Sequence, residues 1–238
     1  MSEDLLLDHF ARLVGPPGHE PDLSLASLEV AAIGNSFLDR EAVAGSLAAL
    51  AARANERGGG ADGLLDLFRQ EGFRGNVEDF HDPRNSFLDQ VLERRCGIPI
   101  SLAVVLLDLA GRLGIPAHGV SFPGHFLVGF PEGGKVRHAD PFEIRFLSDA
   151  DLVDFAERWG GRRGGPLADW LRPATPRRIL LRMLGNLAHV YFRRRENGMR
   201  LAVLRRMALL DPEDERIRVE LEGVELSLRD RGSEPLVH

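Results

Sequence analysis

From Pro99 to Leu113 the chain reads Pro-Ile-Ser-Leu-Ala-Val-Val-Leu-Leu-Asp-Leu-Ala-Gly-Arg-Leu, with no charge before Asp108. Proline fits the first turn of a helix, where the missing N–H has no intrahelical acceptor to lose. Leu102, Val105, Leu106, Leu109 and Leu113 then form a wide apolar stripe, and through Leu107 almost every side of the helix is apolar. Such a helix has no face for water, so it must sit centrally in a core that other elements wrap. It cannot cross a bilayer: the longest uncharged apolar runs, Ala42 to Ala52 and Cys96 to Leu107, fall well short of the ~20 residues a span needs.

After Gly114-Ile115-Pro116 the pattern changes. Ala117 to Ser121 and Phe126 to Phe130 are short segments rich in Val, Phe and Leu, parted by Pro123-Gly124. Pro131-Glu132-Gly133-Gly134 reads as a turn and Val136 to Asp140 as the next strand. A central helix followed by short antiparallel strands implies an α+β fold, with helices packed on a small sheet.

The flanks are helical. Leu5 to Val14, Leu23 to Ile33, Arg40 to Glu56 and Leu64 to Glu71 carry 3.6-residue spacing and end at glycine-rich breaks. Asp82-Pro83-Arg84-Asn85-Ser86 precedes a further helix to about Arg95, with Ser86 and Asp89 spaced as a capping box and Gly97 as its stop. Asp149 to Trp159 returns to helix, and Gly160 to Pro176, with its glycines and prolines, reads as a boundary. Three more helices are predicted over Pro176 to Arg194, Gly198 to Leu210 and Glu213 to Arg229. The organisation expected is a helical extension over 1–57, a core over 64–157 and a helical tail over 175–230.

In the tail, Pro212 set at the end of a 34-residue tetratricopeptide unit brings Leu184, Leu187, Ala188 and Tyr191 onto first-helix positions and Leu204 and Met207 onto the second. Arg200 stands where a small residue is expected, and a plain helical hairpin fits about as well. Lone repeats are rarely stable, so the tail should pack on the core or on a second chain, and a homodimer through the tail is one outcome.

Charge narrows the partners. The net charge of −6 repels nucleic acid and anionic lipid, and the arginine clusters 193–195 and 205–206 lack an aromatic stacking platform. Neither nucleic acid nor a membrane is expected as partner. The acidic start, Met1-Ser2-Glu3-Asp4, is unlike a secretory signal, and the one cysteine, Cys96, cannot form an internal disulfide. Both point to the cytoplasm.

A thiol becomes a nucleophile when an imidazole takes its proton and a third group orients that imidazole. Cys96, His125 and Asp140 occur in the order a helix and two antiparallel strands would supply. Ser101 is a lesser candidate nucleophile, its plainer role being a hydrogen bond in the first helical turn. His125, His138 and Asp140 form a weaker metal-ligand set, with a solvent-exposed His138 as the plainer reading. No cofactor is expected.

Asp82-Pro83-Arg84-Asn85-Ser86-Phe87-Leu88, Val91-Leu92-Glu93-Arg94-Arg95, Gly97-Ile98-Pro99-Ile100-Ser101-Leu102, Pro123-Gly124-His125-Phe126-Leu127 and Asp140-Pro141-Phe142 together resemble the SirB-type branch of the transglutaminase-like superfamily, over roughly residues 25–229. The resemblance implies a papain-like α+β core, a tetratricopeptide-like tail, and a Cys-His-Asp triad for acyl transfer or amide hydrolysis. It carries the histidine onto His125 and the carboxylate onto Asp140. The nucleophile position, counted back from Leu113-Gly114-Ile115-Pro116, falls near Pro99 and not on Cys96. The expectation is therefore a non-catalytic or degenerate core that binds a peptide or protein, the alternative being a cysteine hydrolase or acyltransferase using Cys96, His125 and Asp140.

Overall fold

The computed structural model describes residues 2–56, 58–160 and 166–232; the expected boundary residues 161–165 lie outside them. The first four helices are α1 (Glu3–Val14), α2 (Leu23–Ala31), α3 (Arg40–Glu56) and α4 (Gly60–Gln70). Ser2 and Asp22 cap the first two, each side chain accepting from a backbone N–H three residues on. Next come β1 (Arg74–Gly75), α5 (Leu88–Arg94), β2 (Cys96–Gly97) and the central α6 (Pro99–Arg112). Strands β3 (His118–Val120), β4 (Leu127–Glu132), β5 (Lys135–Asp140) and β6 (Arg145–Leu147) precede α7 (Asp149–Phe155), which runs on into a wider π turn over Ala156–Gly160. After α8 (Leu167–Trp170) and β7 (Pro173–Ala174), the tail is α9 (Pro176–Arg194), α10 (Asn197–Leu210) and α11 (Glu215–Gly232).

Two local expectations around α5 are corrected. Ser86 does not cap that helix; it closes a 3-10 turn over Pro83–Asn85, which the Asp82 carboxylate opens by accepting from Arg84 N at 2.9 Å. Proline right after an Asx cap starts a turn of its own, so α5 begins two residues later, at Leu88, without a side-chain cap. Nor does Gly97 stop the helix. Arg95 does, with a left-handed φ of 53°, and its carbonyl accepts from Arg74 N at 2.9 Å. Gly97 is needed for close approach instead: a Cβ there would lie 2.7 Å from Ser101 Oγ.

The main sheet has the order β6-β5-β4-β3-β7, every pair antiparallel. Gly133 and Gly134, both at positive φ, join β4 to β5 in the two-residue turn that matches strand twist. Pleating sends Phe126, Val128 and Phe130 into the main core with α6, while Val120 and Leu127 face a smaller cluster with Phe122, Leu152 and Trp170. The core therefore sits between the sheet and a helical layer, and α6 packs against α2, α3, α4, α9 and the strands β3 and β4.

One apolar cluster runs from Leu6 in α1 to Val224 in α11. Arg177 fastens the two ends, donating to the carbonyls of Val14 (2.7 Å), Pro16 (3.0 Å), His19 (2.9 Å) and Leu210 (2.8 Å). Arg206, fully buried in α10, reaches Glu3 of α1 at 2.5 Å. The tail thus packs on the chain's own first helices as well as on α6. No helix among the described residues is long and apolar enough to cross a membrane.

His118 and His138 flank Gly129 from the two neighbouring strands, and a Cβ on Gly129 would meet His118 Nε2 at 2.5 Å. His138, against the expectation of exposure, is buried. Burial holds both imidazoles below the ordinary 6.5, and the charge of His118 works further against a proton on His138, Asp149 partly opposing it. An unfolded chain regains ordinary imidazoles, so below about 6.5 it binds protons the folded chain refuses. Stability is complete above that pH and falls as the pH drops toward the folded values. Urea midpoints from pH 8 to 5 should decline below about 6.5 and decline less in His118→Gln/His138→Gln; a wild-type midpoint constant over that range would refute the assignment.

Candidate functional site

The turn before β4 sets the site. Gly124 takes φ 67°, and His125 N donates to Phe122 O at 3.2 Å, which turns the chain sharply into the strand and leaves His125 at its mouth. Asp140 closes β5 beside it, fully buried. Its Oδ1 accepts from the backbone N–H of Phe142 (2.8 Å) and Glu143 (3.3 Å), an Asx turn that runs over Pro141. Its Oδ2 lies 3.0 Å from His125 Nε2. The contact is close but not an aligned hydrogen bond, since neither atom has a hydrogen-bond partner of good geometry among the described residues. With Nε2 turned to the carboxylate, Nδ1 is the nitrogen left for whatever enters the site.

His125 and Asp140 open into a groove of about 540 Å³. Its apolar walls are Val77, Phe80, Phe142 and Phe155, and its charged rim is Glu143, Arg145, Asp151, Asp154 and Arg158. Arg145 donates to Asp151 at 3.0 Å, a pairing that, with Ser148, holds that carboxyl far below the usual range. Phe142 stays in place partly because Gly75 of β1 has no side chain: a Cβ there would lie 2.4 Å from its ring.

Of the residues singled out in the sequence, His125 and Asp140 are brought together and Cys96 is not brought to their groove. Cys96 is buried on β2 and lines an adjoining cavity of about 520 Å³ with Arg74, Asn76, Asp79, Asp82 and Arg94, Val77 standing between it and the groove as a wall of both. The residue of α6 that reaches the His125 groove is Pro99. Ser101 makes its first-turn bonds, accepting from Ile98 N at 3.1 Å and donating to Asn85 O at 2.5 Å. His138 is acted on by His118 and Asp149, and among the described residues no group of three His, Cys, Asp or Glu could hold a metal ion. The rim carboxylates carry no local signal of their place in the groove. Asp151 and Asp154 are visible as an i, i+3 pair, but nothing local says they face His125.

The sequence pattern described as the transglutaminase-like superfamily matches residues 41–185, more than half of the chain. The chain belongs to that superfamily. The match takes in α6, the His125 turn and the Asp140 strand, so the transglutaminase-like region is the one that builds the groove. A UPF0162 protein of Xylella fastidiosa is 48% identical over 131 residues, covering 52% of this chain and 46% of that protein. One from Pseudomonas aeruginosa is 36% identical over 177 residues, 74% of this chain and 60% of that protein. Human F-box only protein 21 is 38% identical over 81 residues, 34% of this chain and 13% of that protein. The chain spans about half the length of the bacterial relatives it matches.

Proposed function

We propose that this transglutaminase-like chain is a SirB-type protein whose core binds a peptide segment without cleaving it, and that α9 to α11 form a tetratricopeptide-like tail. One observation carries the reading: beside the His125–Asp140 pair, the start of α6 offers Pro99, which has no nucleophilic atom, while the thiol lines another cavity. Acyl transfer by Cys96 needs its sulfur in hydrogen-bond reach of the imidazole that takes its proton. The groove keeps what binding needs, namely concave shape, aromatic walls and a few placed polar groups. Leu184, Leu187, Ala188 and Tyr191, buried on one side of α9, support the tail assignment.

Two readouts test this. Iodoacetamide should modify Cys96 slowly in the native protein, quickly in denaturant, and at the same native rate in His125→Ala. A randomised heptapeptide pool should be retained equally by immobilised wild type and Cys96→Ser, and much less by Phe142→Ser. Fast native alkylation below neutral pH that depends on His125 would overturn the proposal in favour of the cysteine hydrolase or acyltransferase.

A further inference from the structure

We infer that the groove takes a cationic side chain, an arginine or lysine of the bound peptide. This rests on the peptide-binding reading of the same groove and adds its chemistry. The walls form a continuous run of rings: Phe80 and Phe142 have centroids 6.2 Å apart, Phe142 and His125 6.3 Å, and His125 and Phe155 5.2 Å. Ring faces attract cations, and the attraction grows where water is excluded.

The charge balance points the same way. The lining holds four carboxylates, Asp140, Glu143, Asp151 and Asp154, against two guanidiniums, Arg145 and Arg158. Arg145 is neutralised by Asp151. Glu143 and Asp154 have no side-chain hydrogen bond or ion pair among the described residues. At the floor, Asp140 is fully buried, and among the described residues its Oδ2 has no aligned donor: His125 Nε2 lies off-line at 3.0 Å, and Arg145 acts on the carboxylate through its charge alone. A buried carboxylate oxygen lacking an aligned donor is a place for a ligand's N–H. Arg158 offsets one of the free carboxylates and leaves the lining net negative. An anionic side chain would meet Asp140, Glu143 and Asp154 together. A long basic one can lay its methylenes along Phe80, Phe142 and Phe155 and present its head to those carboxylates.

The test uses four heptapeptide pools with randomised flanks and a fixed central arginine, lysine, norleucine or glutamate, passed over the immobilised full chain. The arginine and lysine pools should be retained about tenfold more than the norleucine pool, and the glutamate pool least. The advantage should shrink between about 0.05 and 0.5 M salt, because the rim carboxylates are exposed. In Glu143→Gln/Asp154→Asn, shown folded by its thermal transition, the preference should drop below about threefold. Norleucine retained as well as arginine would overturn the cation inference and leave the peptide groove standing. Preference for glutamate would also overturn it, placing an anion on Arg158. No retention of any pool would overturn both readings.

Discussion

Replacing Asn85 by alanine should cost about 3 kcal/mol of folding stability, because this side chain is completely buried and uses both ends. Its amide donates to the carbonyls of Asp79 (2.8 Å) and Phe80 (3.3 Å). Its oxygen accepts from Asn76 Nδ2 (3.0 Å) and from Arg94 (3.4 Å). Alanine leaves the buried Asn76 amide without its partner, an orphan that costs roughly 1–3 kcal/mol, and takes from the Asp79 carbonyl the shorter of its two donors, the 3.3 Å bond from Asp82 N remaining. For a chain of this length that corresponds to a fall of roughly 6–12 °C in Tm. Urea denaturation would measure it as a lower midpoint at unchanged slope. Arg84→Ala is the contrast: Arg84 is mostly exposed and its buried partner Asp82 keeps Arg94 nearby at 3.5 Å, so the urea midpoint should move far less than in Asn85→Ala. If Asn85→Ala lost less than 1 kcal/mol, the turn would not depend on this hub. The effect should reach the groove, because Asn85 holds the Phe80 carbonyl and, through its own carbonyl, Ser101 at the start of α6.

The same segment shows what a sequence discloses. The run Asp82-Pro83-Arg84-Asn85-Ser86 stands out in the chain, and α6 beside it can be placed almost to the residue, because an apolar helix opened by proline is a local pattern. The role of Asn85 is not local. Its partners Asn76 and Arg94 come from either side and meet only when β1 lies parallel to β2. The capping box at Ser86 failed for a local reason, the stronger turn signal of Asp-Pro. Gly97 resembles a helix stop in the sequence, because its close approach to Ser101 is invisible without a third dimension. Of the site, His125 and Asp140 were legible because each sits in a short motif at a strand end. The groove around them joins residues from 77 to 158, and only the folded sheet brings those together.

Asp140 separates positioning from charge, and two substitutions should divide the roles. Asp140→Ala removes the acceptor for the Phe142 and Glu143 amides and the partner of His125, all at a fully buried position. We expect a loss of about 3 kcal/mol and peptide retention below about a tenth of wild type, since the ring of Phe142 and the imidazole of His125, two walls of the groove, lose their anchor together. Asp140→Asn keeps a carbonyl oxygen for both backbone amides and turns an NH₂ toward His125 Nε2, which can accept in one neutral tautomer. Its stability should stay within about 1 kcal/mol of wild type. What it loses is a buried negative charge on the groove floor, so the preference for arginine and lysine pools should weaken while peptides are still held. Calorimetry on the folded variants and the four pools give the two readouts independently. Equal destabilisation by alanine and asparagine would mean that the charge, and not the pair of Oδ1 bonds, fixes the Pro141 turn, and the groove would then be shaped by the contact of that charge with His125.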